Sequence, residues 1–195
     1  MNQIPQVPNG WEPFGNAFSR WVGRTGLRVL GWHIEGELPN QSKLMFTVAP
    51  HTSNWDFLIG LFAMFAIDFK VNWLGKHSLF KWPLGPLMRA WGGIPVYRHA
   101  PRGFVEQVAD QFHAHDKLHV AIAPEGTRAK VGKLKTGFLR MAIAADVPVF
   151  RVSFDYQKKA IILGDLFYPS GDLEKDERAC YEYFGQFNAR FPDQY

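Results

Sequence analysis

Short apolar runs alternate with amphipathic stretches along most of this chain, and that alternation restricts the fold more than any other feature. Runs at residues 44–49, 93–97, 118–123, 147–154 and 160–166 are too short for helices and rich in Val, Ile, Leu and Phe, so they predict strands. Residues 32–38 alternate apolar and polar positions with period two and predict another. Helical patterns fall at residues 56–68, 103–114, 137–145 and 173–190; Phe104, Val108 and Phe112, for example, recur at four-residue steps. Residues 73–87, with Gly75, Pro83, Gly85 and Pro86, read as a loop-rich interruption. Strands separated by helices predict an α/β fold: a single domain with a mixed, largely parallel sheet flanked by helices. A chain of 195 residues, 47% of them hydrophobic, suffices for one full core.

Residues 1–31 read as a lead-in and amphipathic segment ahead of a domain over residues 32–195. Pro5, Pro8, Gly10 and Pro13 make the first part irregular. Over residues 14–30, Phe14, Phe18, Trp21, Val22, Thr25 and Val29 fall on one side of a helix, and Arg20, Arg24 and Arg28 form a second stripe. The pattern fits an interfacial helix, and it fits equally a helix packed on the domain with a solvated basic face. Gly15, Gly23 and Gly26 weaken either helix.

No stretch reaches the roughly 18 apolar residues of a spanning helix; the longest run, residues 57–67, stops at Asp68. The first residues show no basic stretch followed by an apolar one, so no secretory signal is expected. The single cysteine, Cys180, excludes an intrachain disulfide and a cysteine-based zinc cluster. These features predict a cytoplasmic protein. With 22 Lys and Arg against 18 Asp and Glu, the net charge of +4 favours anionic partners. The chain has neither an RNP-type aromatic motif nor zinc-finger spacing, so no nucleic acid is expected. His113, His115, Asp116 and His119 fall in a helix-to-strand loop without a ligand pattern, and no metal is expected.

Two polar motifs follow predicted strands. Open α/β sheets bind ligands beyond the carboxyl ends of their strands, and both motifs map there. The first begins at His51 and ends at Asp56. Histidine titrates near neutrality, and a carboxylate on its other ring nitrogen holds the tautomer, so the two have the parts of a general base. With His51 in the loop and Asp56 in the first helical turn, the carboxylate can fold back to the ring. Ser53 and Asp56 also have the spacing of a capping box, which structure alone would explain. The second motif is Pro124, Glu125, Gly126, Thr127 and Arg128. Gly126 permits a tight turn and Arg128 can fork onto an anion; a plain surface turn fits the same residues.

These motifs, in order with two more, resemble the glycerolipid acyltransferase family, typified by 1-acylglycerol-3-phosphate acyltransferases. His51 and Asp56 match its first block, residues 93–98 ending at Arg98 its second, residues 124–128 its third, and Val147, Pro148 and Val149 its fourth. The resemblance spans residues 49–152. It implies that His51 is the general base and Asp56 its orienting partner. Arg98, Glu125, Gly126, Thr127 and Arg128 would bind the anionic head group of a lysophospholipid-type acceptor. Acyl-CoA or acyl carrier protein would be the donor substrate, no cofactor would be required, and the protein would work peripherally on the inner face of a membrane. The chain departs from the family pattern at Tyr97, Ala123, Ala129 and Arg151, so the expected acceptor is 1-acylglycerol-3-phosphate or a related lysophospholipid. A thioesterase or lipid hydrolase using the same pair on water, and a non-catalytic lipid-binding member of the fold, are the alternatives. Lys76, Lys135 and Arg151 could join an anion site or serve the surface. Trp73, Leu74, Phe80, Trp82, Leu84 and Met88 could line an acyl groove, touch a membrane or pack a core.

Overall fold

The strands are β1 (His33–Glu35), β2 (Lys43–Val48), β3 (Asn72–Lys76), β4 (Gly93–Val96), β5 (Leu118–Ile122), β6 (Val149–Asp155) and β7 (Ala160–Phe167). The helices are α1 (Ala17–Leu30), α2 (Asn54–Ile67), α3 (Gly85–Ala90), α4 (Phe104–Ala114), α5 (Gly137–Ala145) and α6 (Leu173–Phe184). The structure, a computed structural model, describes residues 4–9, 11–97, 103–125 and 133–194. Among these residues the strands form one sheet in the order β1-β7-β6-β2-β5-β3-β4. All pairings are parallel except the β6–β7 hairpin. The fold is therefore the mixed, largely parallel α/β domain that the alternation predicts.

Successive strand residues point to opposite faces, and each face has its own core. On β2, Leu44 and Phe46 join one buried cluster with Ile59, Ala63 and Ala66 of α2 and Leu27 of α1. Met45, between them, joins the other, with Phe112 of α4, Phe138 and Leu139 of α5 and Phe184 of α6. Both faces being covered explains why the central strands read as continuous apolar runs.

Four elements differ from the sequence reading. The predicted strand at 32–38 pairs only over His33–Glu35, because Gly36 turns away at φ 93° with the Leu163 carbonyl oxygen 2.2 Å from where a side chain would begin. The stretch at 73–87 is not mainly loop. It opens with β3, which pairs with both β4 and β5, and closes with α3. Gly75 looked like a breaker, but it serves packing: the rings of Trp73 and Phe80 occupy the space a side chain there would need. The last helix stops at Phe184 rather than residue 190, and turns follow. The first helix begins at Ala17, where Asn16 and Ser19 form a capping box.

The glycines of α1 are the reason it packs. An added Cβ at Gly23 would lie 2.4 Å from the Ala66 backbone nitrogen and 2.5 Å from the Phe62 carbonyl oxygen. Gly26 likewise lies against the Phe62 ring. Arg20 Nη1 meets Asp68 Oδ2 at 2.5 Å at the end of α2. Part of the apolar stripe is left outside, with Phe18 70%, Trp21 61% and Val29 79% exposed, while Phe14 stacks on Phe65 of α2. Gly→Ala in a helix interior ordinarily stabilises by about 0.5–1 kcal/mol. At Gly23 the obstructing atoms are backbone, so Gly23→Ala is expected to destabilise by about 1–3 kcal/mol, read as a lowered urea midpoint at unchanged slope.

Candidate active site

Ser53 caps α2, its Oγ accepting the Trp55 N–H at 3.2 Å. In return the Ser53 N–H donates to Asp56 Oδ2 at 2.8 Å. The capping box is thus present, and it coexists with the pairing that the general-base reading expects: the same Oδ2 lies 3.4 Å from His51 Nδ1. Asp56 is 1% exposed, and its other oxygen, Oδ1, accepts a hydrogen bond from the Tyr156 hydroxyl. The carboxylate is therefore fixed from three sides. His51 follows the C-terminal end of β2, and its side chain is 22% exposed.

Glu125 stands beside this pair because β2 and β5 run parallel in register, with Thr47 opposite Ile122. The loops that leave the two strands emerge together. Glu125 is 2% exposed, and its Oε1 accepts the His51 backbone N–H at 2.8 Å across 74 residues of sequence. Burial pushes its carboxyl up to about 7, against the pull of the His51 N–H and with help from the nearby Asp56 charge.

Two cavities meet at His51. A narrow one of about 190 Å³ runs between the sheet and α2, walled by apolar groups such as Phe46, Gly60, Met64, Ile67 and Leu163, with His51 and Asp56 at its polar end. A wider cleft of about 980 Å³ is lined by His51, Asn54, Lys76, Val96, Pro124 and Lys135. Of the additional cations read from the sequence, Lys76 and Lys135 thus border the site. Arg151 does not: it forks onto Asp165 at 2.6–2.9 Å and stacks 3.8 Å from the centroid of Tyr183. Of the acyl-groove candidates, Trp73 and Leu74 line both cavities and Met88 the cleft, whereas Trp82 is 88% exposed.

The structure brings together His51, Asp56 and Glu125. Arg98, Gly126, Thr127 and Arg128 lie outside the described residues; their described neighbours Val96 and Pro124 line the cleft. The sequence reading missed Tyr156, which touches Asp56 from 100 residues away. Nothing in the spacing of either motif points to it. It also missed Arg190, whose guanidinium lies over Trp55 and Tyr156 at 5.2 and 6.0 Å from the ring centroids.

A histidine–carboxylate pair beyond the C-terminal ends of parallel strands, where an apolar pocket meets an open cleft, has the layout of an α/β group-transfer or hydrolytic centre. A family model described as Acyltransferase matches residues 32–155, more than half of the chain, and the protein belongs to that acyltransferase family. No curated protein matches it. Among solved structures it is similar to the 1-acyl-sn-glycerophosphate (LPA) acyltransferase PlsC from Thermotoga maritima. The TM-score is 0.64 and the identity 17%, over 89% of this chain and 80% of that one. At that identity the likeness bears on the fold, which the two share.

Glu125 supplies a test that needs no substrate. Its folded-state value near 7 stands above the ordinary 4.5, so the folded protein holds this proton more tightly than the unfolded chain does. The resulting stability is complete below pH 4.5 and is lost as pH rises through about 7, a swing on the order of 3 kcal/mol. Glu125→Gln keeps an acceptor for the His51 N–H but cannot titrate. The difference in unfolding free energy between wild type and Glu125→Gln is expected to change across this window and to be flat above about pH 8, measured by chemical denaturation.

Proposed function

We propose that the protein is a lipid O-acyltransferase that moves a fatty acyl group from a coenzyme A or acyl-carrier thioester to the hydroxyl of a lysophospholipid-type acceptor. The observation that carries this reading is the position of His51, which borders both the narrow apolar cavity and the wide cleft with its lysines. An acyl chain suits the first, where each buried methylene contributes about 0.8 kcal/mol. An anionic head group suits the second, beside Lys76 and Lys135. Arg98, Gly126, Thr127 and Arg128 join the anion site in this reading on the strength of the sequence resemblance. Glu125 holds the loop that carries the base.

His51 Nδ1 faces Asp56, so Nε2 takes the proton of the acceptor hydroxyl as its oxygen attacks the thioester carbonyl carbon. The carbon–sulfur bond then breaks and the departing thiolate takes that proton from His51. Ester and free thiol are the products, and no acyl-enzyme forms. His51→Ala is expected to lower turnover by about 10²–10⁴-fold, and Asp56→Asn to lower it substantially with folding retained. The assay is product mass spectrometry with palmitoyl-CoA and a mixture of lysolipids. Fatty acid released without any acylated lipid would instead identify a hydrolase.

Work at a lipid surface fits the exposed side chains. Phe18, Trp21 and Val29 on α1, and Leu79, Trp82, Leu84 and Leu87 around α3, are all at least 42% exposed. Leu79 also lines the cleft. Among the described residues no helix is long and apolar enough to cross a membrane, so attachment in this reading is by side chains at the interface.

Gly60 offers a test of the acyl pocket. It lines the narrow cavity, and an added Cβ there would make only ordinary contact, 3.5 Å from Phe154 Cζ. Gly60→Leu is expected to fold and to shift preference toward shorter acyl chains, read by competition among acyl-CoAs of different length.

A further inference from the structure

The hydroxyl of Tyr156 donates to Asp56 Oδ1, the oxygen that neither His51 nor the helix cap engages. Burial, together with the charge of Asp56, pushes this phenol well above its ordinary value, so it remains an O–H donor throughout the working range of a histidine. Tyr156 lines neither cavity. It begins the turn between β6 and β7, one residue beyond the end of the matched family region at residue 155.

The turn is itself anchored. Asp155 Oδ1 accepts the N–H groups of Gln157 and Lys158 at 3.0 and 3.1 Å, and the Asn188 side chain at 3.3 Å. The Tyr156 N–H donates to the Asn188 carbonyl at 2.8 Å. Trp32 packs edge-on against the Tyr156 ring at 4.9 Å. The Arg190 guanidinium lies 6.0 Å from the centroid of the Tyr156 ring, and its charge acts on the phenol against the effect of burial. One residue later the Phe191 N–H donates to Thr52 Oγ1 at 3.3 Å, in the loop just after His51. The segment 188–191 thus grips both ends of the pair: the loop carrying the base, and the tyrosine holding its carboxylate.

We propose that Tyr156 is a positioning residue that holds the Asp56 carboxylate toward His51, and that residues 188–191 lock it in place. The role rests on His51 and Asp56 acting as the base pair. A buried carboxylate with one oxygen unclaimed can turn about its side-chain torsions; the tyrosine leaves only the orientation in which Oδ2 faces the imidazole. Because Tyr156 lies outside the cavities, its loss affects the pair and not substrate binding.

The test uses the full chain and begins without substrate. The titration of the His51 ring is followed by NMR in wild type, Tyr156→Phe, Asp56→Asn and Arg190→Ala, with His51→Ala assigning the resonance. Among the described residues, the titratable or charged groups near the pair are Glu125, Tyr156 and Arg190, with Lys76 and Lys135 lining the same cleft as His51. In Tyr156→Phe the His51 midpoint is expected to move toward the Asp56→Asn value, and in Arg190→Ala part of the way. Phe keeps the ring packed on Trp32; Arg190→Ala, which keeps the phenol, carries the test if Tyr156→Phe does not fold. An unmoved midpoint in the folded variants overturns the proposal. With palmitoyl-CoA and lysolipid, Tyr156→Phe is expected to lower kcat about tenfold at unchanged KM, and to add no further loss in the Asp56→Asn background. Losses that multiply would mean that Tyr156 acts elsewhere. Full turnover by His51→Ala would defeat the base pair itself, whereas an inactive His51→Ala beside a fully active Tyr156→Phe would defeat the tyrosine alone.

Discussion

Asp56 is a charge with almost no access to water, and burying a carboxylate is costly unless its oxygens are satisfied. Here they are satisfied by three groups that come from different parts of the fold: the Ser53 amide of its own helix cap, the His51 ring and the Tyr156 hydroxyl. Each of these fixes a different element. The cap sets where α2 begins, the histidine fixes the loop after β2, and the tyrosine ties the β6–β7 turn to both. The helix start, the loop and the hairpin therefore cannot move independently. The helix cap and the histidine share one oxygen, Oδ2, and for that reason the capping reading and the proposed catalytic reading of this motif are not rivals.

The sheet supplies the longer-range order. β2 lies between β5 and β6 and runs parallel to both, so the loops that follow these three strands leave at one end of the sheet. His51 comes from the first, Glu125 from the second and Tyr156 from the third. A slip of one residue in the β2–β5 register would exchange the side chains of β5 between the two cores and carry Glu125 away from the His51 amide. The hydrophobic alternation of Leu44, Met45 and Phe46 into two separate cores opposes such a slip.

Much of this was legible because the signals were local or came in chain order. His51 and Asp56 are separated by one turn and a helix cap, and the spacing of the strands followed from the apolar runs. The paired motifs pointed to a shared site, since both trail strands of one sheet. The misreadings have a common physical origin in tertiary contact. Gly75 read as a breaker, although it makes room for the rings of Trp73 and Phe80. On α1, periodicity grouped the apolar residues correctly but could not say which face would pack; close approach through Gly23 outweighed the larger side chains. Tyr156 and Arg190 were invisible because their partners lie far off in sequence and belong to no repeating pattern.

The two strands at the limits of the sheet are β1, three residues long, and β4, four residues long with Pro95 within it. A proline offers no N–H to an incoming strand, and so short an edge gives little backbone for a neighbour to pair with. The sheet therefore makes a poor template for growth into fibres or for capture of an extended peptide. A protein that leaves several large apolar side chains in solvent has a particular need of such edges. Edges this short, one of them carrying a proline, oppose the conversion of any surface contact between copies into strand pairing.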